Sequence, residues 1–291
     1  VYKRQLDDDD LMSGLVGLWH LNEANGTTGA ASVKDFSGGA DYSATPTNIT
    51  FGEKGKLDKA GSFDGSSSYL EIPAAVTSGL SQFTFSFWVR TTETSSNGTF
   101  WQNPGLFYMA TSGSGSSDFG LYTSAGNLGI WSGLGASDDD VTTANIINDN
   151  EWHHIVASND GTTIKLYLDG NDTLATVDGG KNLTTLSFYL GAGNEIGTAN
   201  YFHSGTYDEL AIWNRPLGSA EVKQLYQRGA NRLKVQIRSC DDSACVGEDW
   251  QGPDNTNNEY YFSELNNCNL LVANGTCDYA GGGLINIGAP D

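Results

Sequence analysis

The sequence predicts an all-β fold in which two antiparallel sheets pack face to face, and three observations carry that expectation. Between Glu151 and Gly170 apolar and polar residues alternate on either side of Asp160-Gly161, a dipeptide that tolerates the positive backbone angles of a tight hairpin turn. Glycine is abundant, at 37 residues, and helix-forming runs are scarce. Alternating segments bounded by Gly, Asn, Asp and Ser recur along most of the chain, which favours sheets over helices.

A turn centred on Asp160-Gly161 pairs Ala157 with Ile164, Ile155 with Leu166 and His153 with Leu168. One face then carries Ala157, Ile155, Ile164, Leu166 and Leu168, an apolar surface that must be covered. The other carries Trp152, His154, Lys165, Tyr167 and Asp169. His153 points toward the apolar face and reads as a core histidine with hydrogen-bonded ring nitrogens. His154 lies opposite, open to a surface or a ligand role. A second hairpin, centred on Ala125-Gly126, puts Phe119 and Leu121 on one face with Leu128 and Ile130. Tyr122 and Trp131 then lie on the other face as diagonal neighbours, within reach of one shared ligand.

The remaining elements follow in order. Residues 1–13 read as a tail: Asp7 to Asp10 is a like-charge run typical of a linker, and Val1 to Gln5 resembles a translated adapter stub. A β domain is expected from Gly14 to residue 228. It closes with a short helix, Ser219 to Tyr226, in which Ser219 is a natural N-cap, Glu221 suits the first turn, and Val222 and Leu225 share a face. Residues 229–291 are expected to form part of a second, small cysteine-containing β module, opened by the strict alternation of Lys234 to Arg238, with the chain stopping inside it. All four cysteines lie there; local bridges Cys240–Cys245 and Cys268–Cys277 suit the spacing, and three pairings are open. Cysteines of this kind point to an oxidising, extracellular setting.

Six landmarks in sequence order carry a resemblance to a known family: the opening Gly14 to Thr28, the turn Lys34 to Gly39, Ser62-Phe63-Asp64-Gly65, Phe83 to Arg90, Glu151 to Gly170 and Tyr207 to Leu217. Over residues 14 to 228 they resemble the laminin G-like, concanavalin A-type lectin/glucanase family, in particular its bacterial laminin G-like modules. The resemblance implies a two-sheet antiparallel jelly-roll sandwich and the short helix after the last strand. It also implies a structural calcium that ties the first loop to the last strand, held by Asp35 and Asp208, with carbonyls near Gly38-Gly39 and Glu23 as a further donor. Phe36 departs from the small polar residue usual at its position.

Charge and chemistry narrow the function. The formal charge is −20, from 35 acidic and 15 basic residues, which repels phosphate backbones and anionic lipid. No run approaches the roughly 18 apolar residues of a membrane helix. Glucan-cleaving relatives carry two carboxylates as Glu-x-Asp-x-x-Glu on one strand face, and no such run exists here; Asp208 and Glu209 lie on opposite faces. No His-Glu-x-x-His helix or nucleophile elbow is present. Exposed aromatics would stack on a pyranose, and Trp101, Tyr122 and Trp131 are the candidates. The expected function is a non-catalytic, extracellular carbohydrate-binding or adhesion module of a larger secreted or surface protein. A hydrolase with carboxylates assembled from distant loops is one alternative. A structural spacer, in which Tyr122 and Trp131 are covered, is the other.

Overall fold

The computed structural model describes residues 11–110, 118–133, 138–171, 173–180, 183, 187–230, 234–235 and 261–262. It divides into one unit spanning Val1–Gln227 and a second spanning Arg228–Asp291. In the second unit Lys234–Val235 pairs antiparallel with Tyr261–Phe262; the four cysteines and the expected strand beyond Val235 lie outside the described residues.

The first unit is the expected two-sheet antiparallel sandwich. One sheet takes the order β13 (Ala175–Asp178), β12 (Thr163–Leu168), β11 (Trp152–Asn159), β6 (Phe83–Arg90), β17 (Ser204–Trp213), β4 (Lys59–Asp64), β3 (Thr50–Lys54), and β1 (Leu15–Trp19) also pairs with β17. The other runs β10 (Asp138–Ile146), β9 (Asn127–Gly133), β8 (Phe119–Ser124), β7 (Gly105–Met109), β14 (Phe188–Leu190), β5 (Tyr69–Ile72), β2 (Thr45–Thr47). A two-stranded hairpin, β15 (Gly193–Glu195) and β16 (Thr198–Asn200), forms a small sheet of its own, bridged in parallel from Glu195 to Ala110 just after β7.

Strand β17 is long enough to serve two neighbours on one edge. Ser204–Tyr207 pairs with β4, and Leu210–Trp213 pairs with β1. Between these halves β17 bulges against β6: Asp208 pairs with Trp88 and Ala211 with Ser86, so Glu209 and Leu210 stand opposite Phe87, and Glu209 takes φ +53°. An extra residue with left-handed backbone is how a strand bends without losing its ladder.

The two sheets share one core. The eight-stranded sheet contributes Phe83, Phe85, Phe87 and Val89 from β6 with Ile155, Ile164, Leu166 and Leu168, all buried as expected. The seven-stranded sheet contributes Phe107, Phe119, Leu121, Ile130 and Phe188. Across the interface Phe85 lies 4.9 Å from Phe107 and 5.2 Å from Phe188, ring centre to ring centre, tilted contacts that aromatic rings favour.

The outer face of the eight-stranded sheet is closed by helix α1 (Ser219–Ala230). Its Val222, with Leu217 ahead of it, packs on Val156, Tyr167, Ala211 and Trp213. The helix starts where Glu221 accepts from the Gly218 N–H at 2.8 Å and pairs with Arg215 at 2.7 Å. Three expectations are corrected here. The Asp160 hairpin pairs Ala157 with Leu166, Ile155 with Leu168 and Asn159 with Ile164, two residues away from the expected register. Asp160 Oδ1 accepts from the N–H groups of Thr162 and Thr163, and Asn159 Oδ1 from Gly161, so side chains open the turn to four residues. A two-residue shift leaves every side chain on its expected face. Secondly, Leu11–Ser13 are not tail: Leu11 is buried, its carbonyl accepts from Trp213 Nε1 at 2.7 Å, and that of Ser13 accepts from Arg215 Nε. Thirdly, His154 is no surface residue; it is buried with Nε2 bonded to Ser86 Oγ at 2.8 Å, and burial pushes its pKa down to about 3.

Truncating Phe85 to alanine should cost about 3–5 kcal/mol of unfolding free energy. Urea melts of the two proteins check this, and a loss below that of an exposed substitution would remove Phe85 from the shared core.

Candidate functional site

The outer face of the seven-stranded sheet carries a continuous cross-strand row. Successive register partners are Glu71 (β5), Tyr189 (β14), Tyr108 (β7), Gly120 (β8), Trp131 (β9) and Asp140 (β10). Glycine in this row has a physical reason. A Cβ at Gly120 would fall 2.1 Å from Trp131 Nε1 and 2.3 Å from Tyr108 Cδ2, so the bare backbone lets both rings lie down over the strand. Gly129 does the same for Tyr122, whose ring atoms would meet a Cβ there at 2.3 Å. The Tyr122 hydroxyl then hydrogen-bonds Thr142 Oγ1 at 2.7 Å.

These hollows change the reading of two candidates. The Ala125-Gly126 turn forms as expected, with φ +49° and +82°, and pairs Ser124 with Asn127. Yet Tyr122 is 1% and Trp131 2% exposed. Trp131 is packed by Tyr108 at 5.2 Å and Phe100 at 5.5 Å. The expectation of two exposed stacking rings is therefore corrected: they form an aromatic floor.

Trp101 is different. It sits in the short 3₁₀ turn Phe100–Gln102, held by Asn97, whose side chain donates to the Gln102 carbonyl at 2.6 Å and whose N–H reaches Asn103 Oδ1 at 2.8 Å. Trp101 is half-buried and meets Tyr201 edge to face at 6.2 Å. Tyr201, also half-buried, follows the β15–β16 hairpin and is anchored through its carbonyl to the Gly105 N–H at 2.7 Å. The hairpin is fixed over β7 and β14 by Ala110 N–H to Asn194 O at 2.8 Å, Ile196 N–H to Ala110 O at 3.1 Å, and the Tyr189 hydroxyl to Gly197 O at 3.3 Å. Tyr69 stacks on Tyr189 at 4.5 Å and lies 6.5 Å from Phe202. Partly open rings thus continue from Trp101 through Tyr201 and Phe202 to Tyr69. Tyr201 was missed at the sequence level, where only its adjacency to Phe202 in a polar segment marks it.

Carboxylates edge this face. Burial, then Glu195 and Asp118, push the Tyr108 phenol far above its ordinary value. Burial, then Glu71, push Tyr189 up to about 12. Burial, then Glu195, raise Tyr201. Flat rings beside oxygen acceptors can stack on a sugar ring and take hydrogen bonds from its hydroxyls. Hydrolysis asks for more: the row's terminal carboxylates, Glu71 and Asp140, stand five strand spacings apart, about 24 Å at ~4.8 Å each, against the roughly 5–9.5 Å of a glycosidase pair.

The residues expected to hold calcium stand in different surroundings. Both oxygens of Asp35 are engaged: Oδ1 accepts from the N–H groups of Leu18 at 3.0 Å and Ser37 at 2.9 Å, and Oδ2 from Ser37 Oγ and the Tyr42 N–H, each at 3.1 Å. It ties the first loop to β1 by itself. Asp208, fully buried at the β17 bulge, accepts from the Leu57 N–H at 2.8 Å through Oδ2, while its Oδ1 has no donor. Burial, then Glu209, raise its pKa well above the carboxylate range. Glu23 accepts from the Lys34 N–H at 3.2 Å through Oε1, and its buried Oε2 also lacks a donor. The orphaned oxygens of Asp208 and Glu23 suit a cation; the saturated carboxylate of Asp35 does not. Among the described residues no three His, Cys, Asp or Glu side chains gather in a metal-binding group.

Residues 64–223 match the family model for the concanavalin A-like lectin/glucanases superfamily. No curated protein matches the sequence. Among solved structures, domain 4 of AbnA, a GH43 extracellular arabinanase from Geobacillus stearothermophilus in complex with arabinotriose, is similar at 22% identity and a TM-score of 0.54, covering 73% of this chain and 98% of that one. The binding domain of Paraclostridial Mosquitocidal Protein 1 gives 18%, 0.55, 78% and 55% on the same measures. A botulinum neurotoxin type C structure, from a toxin whose cell entry is described as dependent upon interaction with two ganglioside molecules, gives 14%, 0.55, 76% and 52%. The chain thus spans about half the length of these toxin structures, and at such identities the likeness is one of fold.

Proposed function

The chain belongs to the concanavalin A-like lectin/glucanases superfamily, and from that premise we propose that it is a non-catalytic, extracellular carbohydrate-binding or adhesion module of a larger protein. The observation that carries the reading is the partly open Trp101–Tyr201 pair on the outer face of the seven-stranded sheet. Two structural relatives support it, one in complex with arabinotriose and one tied to gangliosides. Covered Tyr122 and Trp131 are what a structural spacer predicts; a spacer gives no reason for an aromatic pair held half-open beside Glu195. A hydrolase of this fold would need paired carboxylates, and the sequence lacks the Glu-x-Asp-x-x-Glu run that supplies them in glucan-cleaving relatives.

Glycan-array binding by the full chain and by Trp101→Ala tests this. The substitution should weaken binding about tenfold, the ~1.4 kcal/mol expected of one stacked ring, with an unchanged melting temperature. Failure of the wild-type chain to bind any glycan, or full binding by Trp101→Ala, would overturn the reading.

A structural calcium is part of the same proposal, with Asp208 as its donor in place of the expected Asp35–Asp208 pair. A cation there would meet the orphaned Oδ1 and neutralise a buried carboxylate. Saturating calcium, at about 100 times its dissociation constant, should add about 2.7 kcal/mol of stability over chelator. Asp208→Asn should lose that increment, whereas Asp35→Asn should destabilise equally in calcium and in chelator, because it turns one of the two accepting oxygens into an NH2 and strands two of the four donors. Identical wild-type melting midpoints in the two media would eliminate the ion.

A further inference from the structure

The proposed glycan face has a charge of one sign. From Thr91 to Ile164 the sequence contains no lysine or arginine. None of strands β2, β5, β7, β8, β9, β10 and β14, nor the β15–β16 hairpin, contains one either. The basic residues of the first unit fall elsewhere, among them Lys54 and Lys59 on β3 and β4, Arg90 on β6, Lys165 on β12 and Lys223 on the helix. Two of the cations beside the eight-stranded sheet rest on tryptophan: Lys56 Nζ lies 4.3 Å from the Trp88 ring centre and the Arg90 guanidinium 5.2 Å from that of Trp152.

On the seven-stranded side, among the described residues, the charged groups that act on the aromatic rings are carboxylates: Glu71 on Tyr189, Asp118, Asp138 and Glu195 on Tyr108, and Asp140 on Tyr122.

Resting on the carbohydrate-binding reading, we infer that this face selects glycans without negative charge: it takes uncharged oligosaccharides and rejects those bearing sialic acid, uronate or sulfate. Carboxylates beside the rings, with no lysine or arginine on the strands of this sheet, repel an anionic sugar, and among the described residues those strands offer it no guanidinium or ammonium donor. An uncharged sugar offers hydroxyl donors to those carboxylates and its apolar face to Trp101 and Tyr201. Arabinotriose, bound by one structural relative, is such a sugar; a ganglioside headgroup, with its sialic acid, is not, which separates this chain from the toxin fold it resembles.

The test is an array of immobilised neutral oligosaccharides, each beside its sialylated, uronate-bearing or sulfated counterpart, probed with the full chain at two ionic strengths. At about 10 mM salt, where the screening length is ~30 Å, neutral members should bind at least about tenfold more tightly than their anionic counterparts; at about 1 M, where it is ~3 Å, the gap should close. An Asp138→Asn/Asp140→Asn/Glu195→Gln variant should narrow the gap at low salt by raising the anionic signal. Equal or tighter binding of anionic glycans that is lost in Trp101→Ala would overturn the charge selection and leave the carbohydrate-binding reading standing. Binding to no glycan of any charge would overturn both.

Discussion

The packing of Phe85 against Phe107 and Phe188 joins the two sheets into one body, and the rest of the molecule follows from it. In a strand every second side chain points the same way, so committing Phe83, Phe85 and Phe87 to the shared core sends Thr84, Ser86 and Trp88 outward. The same holds for β7, where Phe107 goes in and Tyr108 goes out. One core therefore produces two outer faces, and their separate fates decide where a ligand can go.

The eight-stranded sheet closes its outer face with protein. Helix α1 covers Val156, Tyr167 and Trp213, Tyr226 stacks beside Trp88 at 5.6 Å, and Lys56 lies over the same indole. Among the described residues no α-helix covers the seven-stranded sheet. The sheet covers its own backbone by laying Tyr108, Tyr122 and Trp131 across Gly120 and Gly129, and it leaves a partly open rim at Trp101 and Tyr201. Glycine here is what turns aromatic side chains from projecting ligands into a floor, and the rim rather than the floor holds the accessible rings.

Much of this was legible in the sequence, because the period-two pattern and the glycine turns are local signals. The inner faces of β11 and β12 were assigned from alternation alone, and Ala125-Gly126 marked its hairpin because residues at positive φ are few. The Asp160 hairpin was placed on the right faces but in the wrong register, since Asn159 and Asp160 bind the turn's own N–H groups and lengthen it. The burial of Tyr122 and Trp131 depends on which residue faces them across a strand pair, a non-local fact that the spacing around one turn does not weigh. The orphaned oxygen of Asp208 depends likewise on the backbone of Leu57, 151 residues away in the chain. Tyr201 has no pattern of its own; its position comes from the hairpin that precedes it.

The central claim is that a glycan meets this molecule at the Trp101 rim of the seven-stranded sheet. Fluorine NMR of the chain labelled at its seven tryptophans tests it most directly, with the resonances assigned by single substitutions and arabinotriose, then the strongest neutral oligosaccharide of the array, titrated in. The account predicts that the Trp101 resonance moves with saturating ligand while those of Trp19, Trp88 and Trp213 stay in place. Movement of Trp88 or Trp152 with Trp101 unchanged would put the ligand on the opposite sheet and contradict it.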